Sequence, residues 1–318
     1  MLSRLPRFIP YSCFLAFFAL FTATWAWAAV CPDTDPRALS LLDKMSRNIQ
    51  QISYHGVATL QRDGDMQVLQ LSHVVDQESS AERLTELTGQ GAQVERATHP
   101  LDCIHPGQQM LRLGAALQAG DCHIARQYRL RVSGGERIAG RNAVRIEVDP
   151  RDMYRFGYIM YLDQETGLLL KSETIGRGSR VLEKFQFAHL SYNEAMPEIS
   201  GVTVTHQARH PDPHTQTISA PVSRAWTVSW LPRGFTPADR SLGISGRRTY
   251  TDGLAVFSVF LEDLKHEIRP GEGLVRDGGT TSYTRGMLVA GEPVLVTVVG
   301  DVPVNTARLV ADSIGWEH

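Results

Sequence analysis

The usual signatures of catalysis are missing from this chain. It contains no G-x-S-x-G nucleophile elbow and no H-E-x-x-H zinc motif, and His266-Glu267 runs into Pro270 instead. No phosphate-binding P-loop and no G-x-G-x-x-G fingerprint occur. A formal net charge of −2 excludes a general attraction to nucleic acid and leaves room only for a local basic patch. No repeat relates the two halves. Cysteine is scarce, with four in 318 residues.

What is present begins with a leader. Arg4 and Arg7 precede an uncharged run from Phe8 to Val30 that contains Ala26-Trp27-Ala28. A basic start, an apolar centre and a small-x-small site make residues 1–28 a secretory signal peptide, cleaved near Ala28. An uncleaved anchor is the competing reading, since a bilayer needs roughly 20 apolar residues. Val30 before Cys31 is a poor lipobox, which argues against lipidation.

Export implies an oxidising compartment, and Cys13 leaves with the leader. The sequence then pairs Cys103 with Cys122, a disulfide worth roughly 3 kcal/mol, and leaves Cys31 over. Cys103, His105, Cys122 and His123, with His99, are also residue types that suit zinc; the oxidising compartment favours the disulfide. His206, His210 and His214 are spaced by four, but Pro211 and Pro213 forbid the helix that would align them.

Along the mature chain, Asp35-Pro36 predicts a helix start, followed by Ala38, Leu41, Leu42, Met45, Ile49 and Ile52 on one face. Two strands flank Asp63-Gly64, a strong hairpin signal, and another pair surrounds Gly89 and Gly91. Residues 104–130 look irregular, with a short helix near Ala115 to Leu117.

Asn142 to Leu190 reads as four strands of an antiparallel meander. Val144, Ile146 and Val148 alternate with Arg145 and Glu147; Phe156, Tyr158, Met160 and Leu162 share a face, and so do Phe185 and Phe187. The sheet thus has one apolar and one polar side. The aromatic and methionine stripe is compatible with ordinary core and with the wall of a ligand cavity. Glu147, Asp149 and Asp152 read as a polar rim rather than an acid–base pair. Arg141, Arg145, Arg151 and Arg155 read as solvated arginines, with phosphate binding as the alternative.

Residues 193–222, crowded with proline, serine, threonine and histidine, read as a linker in which only GVTVTHQ suits a strand. After it come a strand ending at Leu231-Pro232, a hairpin turned at Asp252-Gly253, a polar glycine-rich loop over 265–282, a buried strand in PVLVTVVGDVP, and a final helix capped by Asn305 or Thr306. Four strands and a helix make a small α+β unit.

Three stretches in order carry a resemblance: PRDMYRFGYIMYLDQETGLLLKS with LEKFQF, then WLPRGF, then TYTDGLAVFSVFLE with VTVVGDVPVNTARLVADSI. Behind a signal peptide, they resemble the RseB/MucB family of periplasmic sigma-E regulators over most of residues 35–318. The resemblance implies an α+β protein. Residues 29–192 would form a large antiparallel half-open β-barrel of LolA/LolB type with packing helices, and 223–318 a smaller α+β domain. It implies no enzyme activity, no cofactor and no metal. It implies instead binding to the periplasmic domain of an RseA/MucA-type anti-sigma factor, protection of that factor from the site-1 protease, and release by a lipid or lipopolysaccharide fragment. A homo-oligomer is compatible with it. On this basis Phe156, Tyr158, Met160, Leu162, Phe185 and Phe187 are expected to line a lipid cavity. Trp230, Leu231, Pro232, Tyr250, Asp252 and Phe257 are expected at the partner site. A lipid or lipoprotein carrier of LolA/LolB type is the rival reading, although a carrier has no need of the second domain.

Overall fold

The computed structural model describes residues 31, 33–88, 92–101, 106–111, 122–193, 203–209, 224–238, 246–264 and 271–317. The leader, the short helix expected near 115–117, and Cys103, His105, His210 and His214 lie outside the described residues. Among the described residues, no helix is long and apolar enough to cross a membrane.

Helix α1 (Pro36–Asn48) starts as the sequence dictates. Asp35 is extended, and its carboxylate accepts from the Arg37 N–H at 2.8 Å while Pro36 takes a position that needs no donor. The strands that follow are β1 (Tyr54–Arg62), β2 (Asp65–Val75), β3 (Ser79–Glu86) and β4 (Ala92–Pro100). Asp63 and Gly64 join β1 to β2 with φ of 43° and 100°, the doubly left-handed turn that matches strand twist. After a short helix α2 (Pro106–Leu111) come β5 (Tyr128–Ile138), β6 (Arg141–Pro150), β7 (Gly157–Asp163), β8 (Leu169–Ile175) and β9 (Val181–Tyr192).

The predicted meander is β6 to β9, and β9 turns back to pair with β1. One ten-stranded sheet results, in the order β10-β4-β3-β2-β1-β9-β8-β7-β6-β5. It is antiparallel except for β10 (Thr203–Arg209), which runs parallel to β4. The segment read as linker therefore supplies an edge strand. With β10 and β5 at opposite edges, the sheet is not closed.

The second sheet runs β12-β13-β14-β17-β16-β15, built from β12 (Thr236–Pro237), β13 (Arg247–Thr251), β14 (Val256–Asp263), β15 (Glu272–Asp277), β16 (Thr280–Val289) and β17 (Glu292–Gly300). Part of the segment read as a polar glycine-rich loop is thus the β15–β16 hairpin. A small ribbon joins β11 (Trp226–Val228) to β18 (Ile314–Trp316). Helix α3 (Val304–Asp312) packs on β16 and β17 and buries Ala307, Val310 and Ala311. Its N-cap is Pro303 and makes no side-chain cap bond. Asn305 and Thr306, expected as caps, instead reach the backbone carbonyls of Met153 and Tyr154 in the first unit.

The expected disulfide is corrected by the structure. Cys122 is bonded to Cys31, not to Cys103. The reason is packing: Cys31 is buried beside α1 in the cluster that contains Leu39, Leu42 and Ile124, and Cys122 packs against the same cluster. Sequence proximity favoured Cys103, but tertiary contact decides the pair. Asp163, the last residue of β7, is 1 % exposed and accepts from Arg141 and from the Tyr192 hydroxyl.

Burial pushes the Asp163 carboxyl up, but hydrogen bonds from Arg141, the Glu165 N–H and Tyr192 outweigh it and hold the carboxyl below its ordinary value. Depression of a folded-state carboxylate stabilises the fold above the unfolded pKa and loses that contribution as pH falls through the lower folded value. Urea midpoints measured from pH 6 down to pH 2.5 should therefore fall in acid. Asp163→Asn should flatten part of that fall, and an unchanged acid limb in the variant would contradict the assignment.

Candidate functional site

Pairing register locates the apolar face. Met160 lies opposite Ser172, Ser172 opposite Phe185, and Phe185 opposite Leu60. Directly paired residues share a face, so one continuous side runs from β7 to β1. In β1 the same side carries Gly56 and Ala58. Gly56 pairs with Leu71, Leu71 with Leu84, and Leu84 with Val94. Glycine is required at 56, because a Cβ there would stand 2.4 Å from the His189 carbonyl and 3.0 Å from the Phe187 ring.

Helix α1 covers only part of this side. Leu39, Leu42 and Met45 pack with Leu130, Ile146, Met160 and Leu162, over β5 to β7. Toward β3 and β4 the cover ends: Leu84 is 36 % and Val94 41 % exposed. Leu71 packs against a second cluster with Ala58, Phe187 and Leu190. An apolar row therefore emerges from the core and continues into the open part of the sheet.

The six residues expected to line a cavity divide between these regions. Met160 and Leu162 are buried under α1, and Tyr158 packs beside them with its hydroxyl sealed from solvent and unpartnered. Phe185 and Phe187 meet edge to face at 5.2 Å in the second cluster. Phe156 is half-buried just before β7. The sequence reading missed Leu71, Leu84 and Val94. Their signal was the alternation in LQLSHVV, ERLTE and AQVERA, which marks a face but not whether a helix covers it.

The six residues expected at the partner site divide similarly. Tyr250 and Phe257 stack at 5.4 Å inside the second core, where both are buried. Pro232 is buried and Leu231 packs against that core. Trp230 meets Tyr154 of the first unit edge-on at 5.2 Å. The open feature of the second sheet is its edge strand β15. All six of its residues are exposed, with Leu274 at 50 % and Val275 at 66 %.

Asp252 belongs to the junction between the two sheets. Its Oδ2 accepts from the Tyr128 hydroxyl at 2.9 Å and from the Arg155 guanidinium. Arg155, read from sequence as solvated, has a fully buried side chain. It also donates to Asp152 and to the Arg233 carbonyl, and it lies over the rings of Tyr128 and Phe235 at 5.4 and 5.3 Å. The β6–β7 loop holds this charge because three acceptors and two ring faces replace its water. Burial, then the adjacent Asp252 carboxylate, push the Tyr128 hydroxyl well above its ordinary value, so it stays a donor. A second contact lies at the far hairpin, where Asp63 accepts from the Gly278 N–H at 3.1 Å and Arg62 pairs with Asp277 at 3.3 Å.

Metal chemistry at Cys122 would need a thiolate, and its sulfur is held in the bond to Cys31. Among the described residues, no group of three histidine, cysteine, aspartate or glutamate side chains could hold a metal ion.

Comparison with known proteins agrees with this architecture. The family model for the MucB/RseB N-terminal domain matches residues 37–208, and that for the MucB/RseB C-terminal domain matches 220–315. The sigma factor AlgU regulatory protein MucB of Pseudomonas aeruginosa is 33 % identical over 285 residues, covering 86 % of this chain and 89 % of that protein. The sigma-E factor regulatory protein RseB of Haemophilus influenzae is 22 % identical with the same coverage. A crystal structure of MucB in complex with MucA(peri) superposes with a TM-score of 0.66 at 32 % identity, over 88 % of this chain and 99 % of that one. Two domain models in order, one over the ten-stranded sheet and one over the six-stranded sheet, establish that this chain belongs to the MucB/RseB family.

Proposed function

We propose that this protein is a periplasmic negative regulator of an envelope-stress sigma factor. It binds the periplasmic domain of a MucA-type anti-sigma factor, shields it from site-1 proteolysis, and lets go when a lipid or lipopolysaccharide fragment binds. Its activity is binding, not catalysis. The observation that carries the reading is the match, over 88 % of this chain, to a relative whose crystal structure is in complex with MucA(peri).

The row Leu71–Leu84–Val94 supports the lipid half of the reading. Apolar area left open beside a packed core suits an acyl chain, at about 25 cal/mol per Å2 removed from water. Edge strand β15 supports the protein half, since exposed backbone groups beside Leu274 and Val275 can accept an extended peptide as a further strand.

The test is a protection assay. The anti-sigma periplasmic domain is incubated with its site-1 protease, with and without this protein. Saturating mature chain should slow cleavage at least tenfold, whereas a chain lacking residues 223–318 should leave the rate unchanged. Full protection by the truncated chain would refute the role given to the second domain.

A further inference from the structure

Among the described strands, β15 ends the second sheet, and all six of its residues are exposed. At its start the Gly286 N–H donates to the Gly271 carbonyl at 3.3 Å. Backbone polarity alternates along an antiparallel strand, so Gly271, Gly273, Val275 and Asp277 face β16. Glu272, Leu274 and Arg276 therefore aim their N–H and C=O groups at the open edge. The side chains of these three fall on the side of α3, where Glu272 accepts from Arg308 at 2.9 Å and Leu274 lies opposite Tyr283. Leu274 is nonetheless 50 % exposed, because α3 packs on β16 and β17. Arg276 is exposed and has no ion-pair partner among the described residues.

We propose that this edge receives a second copy of the same chain: β15 pairs antiparallel with β15 of the copy about a two-fold axis through Leu274, joining two six-stranded sheets into one. The strand is complementary to itself. In this register Leu274 lies opposite Leu274, and Glu272 lies opposite Arg276 on both sides of the axis. The outward backbone groups of all three residues find partners, an ion pair forms at each end, and two half-exposed leucines cover each other. Val275, 66 % exposed, falls opposite Gly273, whose missing side chain leaves it room. A slip of two residues either way would set Glu272 or Arg276 against Leu274 and break both ion pairs, so charge selects one register. One strand pair is smaller than the roughly 1,200–2,000 Å2 of a standard interface, so the dimer forms and dissociates with concentration. A copy paired in this way has no edge left for the extended peptide considered above, so the two uses of β15 exclude each other.

Sedimentation of the mature chain alone, over about a hundredfold range of concentration, tests the pairing whatever becomes of the regulatory reading. Wild type should pass from monomer to dimer. Arg276→Glu sets like charges across the seam twice and should weaken the dimer about tenfold. Glu272→Arg should do the same, and the double variant Glu272→Arg/Arg276→Glu should restore it. Circular dichroism checks that each variant is folded. Cross-linking reads the register: oxidised Leu274→Cys should give a covalent dimer much faster than Val275→Cys, since only position 274 meets itself. A chain that stays monomeric throughout would overturn the proposal, and loss of anti-sigma binding in a monomeric Arg276→Glu variant would give the edge to that peptide instead. A dimer indifferent to Arg276→Glu, or one that the double variant fails to restore, would also overturn the self-pairing.

Discussion

Arg155→Met should destabilise the docked arrangement by about 3–5 kcal/mol, the usual consequence of leaving one member of a buried ion pair without its partner. Asp252 would then keep the Tyr128 hydroxyl and two backbone donors, but it would lose the cation that balances its charge. The molecule can relieve this in two ways. It can unfold, or the second domain can swing away so that water reaches Asp252. Undocking exposes far less apolar surface than unfolding, so it is the cheaper route. The expected result is a folded protein with a larger radius of gyration and an early, shallow step in its urea curve. Asp252→Asn should act in the same direction but less strongly, because Arg155 keeps its ion pair with Asp152. The double variant Arg155→Met/Asp252→Leu should recover much of the loss, because an apolar pair of similar volume avoids the desolvation cost. Single variants within 0.5 kcal/mol of wild type would show that the pair is not a fastening.

The second large effect concerns the disulfide. Cys31 and Cys122 are separated by 91 positions, and closing a loop of that size restricts the unfolded chain by about 4–5 kcal/mol on the entropy model. Replacing both with serine should lower the unfolding free energy by about 2–5 kcal/mol, and reductant should reproduce the loss in the wild type. The bond also ties the start of α1 to the turn that leads into Tyr128. Loss of the bond should therefore loosen the junction as well as the first core. Serine variants as stable as wild type in urea would contradict this role.

Local chemistry explains what the sequence made legible. The α1 start followed from Asp35-Pro36, and the β1–β2 hairpin from Asp63-Gly64, because each signal acts within a few residues. The meander β6 to β9 followed from alternation. The pairing of β9 with β1 and the addition of β10 beside β4 were not visible, since register between distant strands leaves no local mark. Membership of the family was legible from three ordered stretches. The site was legible only in part. Alternation placed Met160 and Leu162 on the apolar side, but it carried no information that α1 lies over them. Arg155 and Asp252 looked like surface residues for the same reason: in the buried pair that they form, each partner lies about a hundred positions from the other. Leu254 packs against the first unit's cluster, a contact that a leucine beside Asp-Gly reveals only when the other domain is present.

Coupling between the two ligands is the core of this account, and titration calorimetry tests it most directly. The mature chain is titrated with the periplasmic domain of its MucA-type anti-sigma factor, first alone and then with saturating laurate. The anti-sigma domain should bind tightly, laurate should weaken that binding, and laurate affinity should fall by the same factor when the anti-sigma domain is already bound. Anti-sigma binding of equal affinity with and without bound laurate would contradict it.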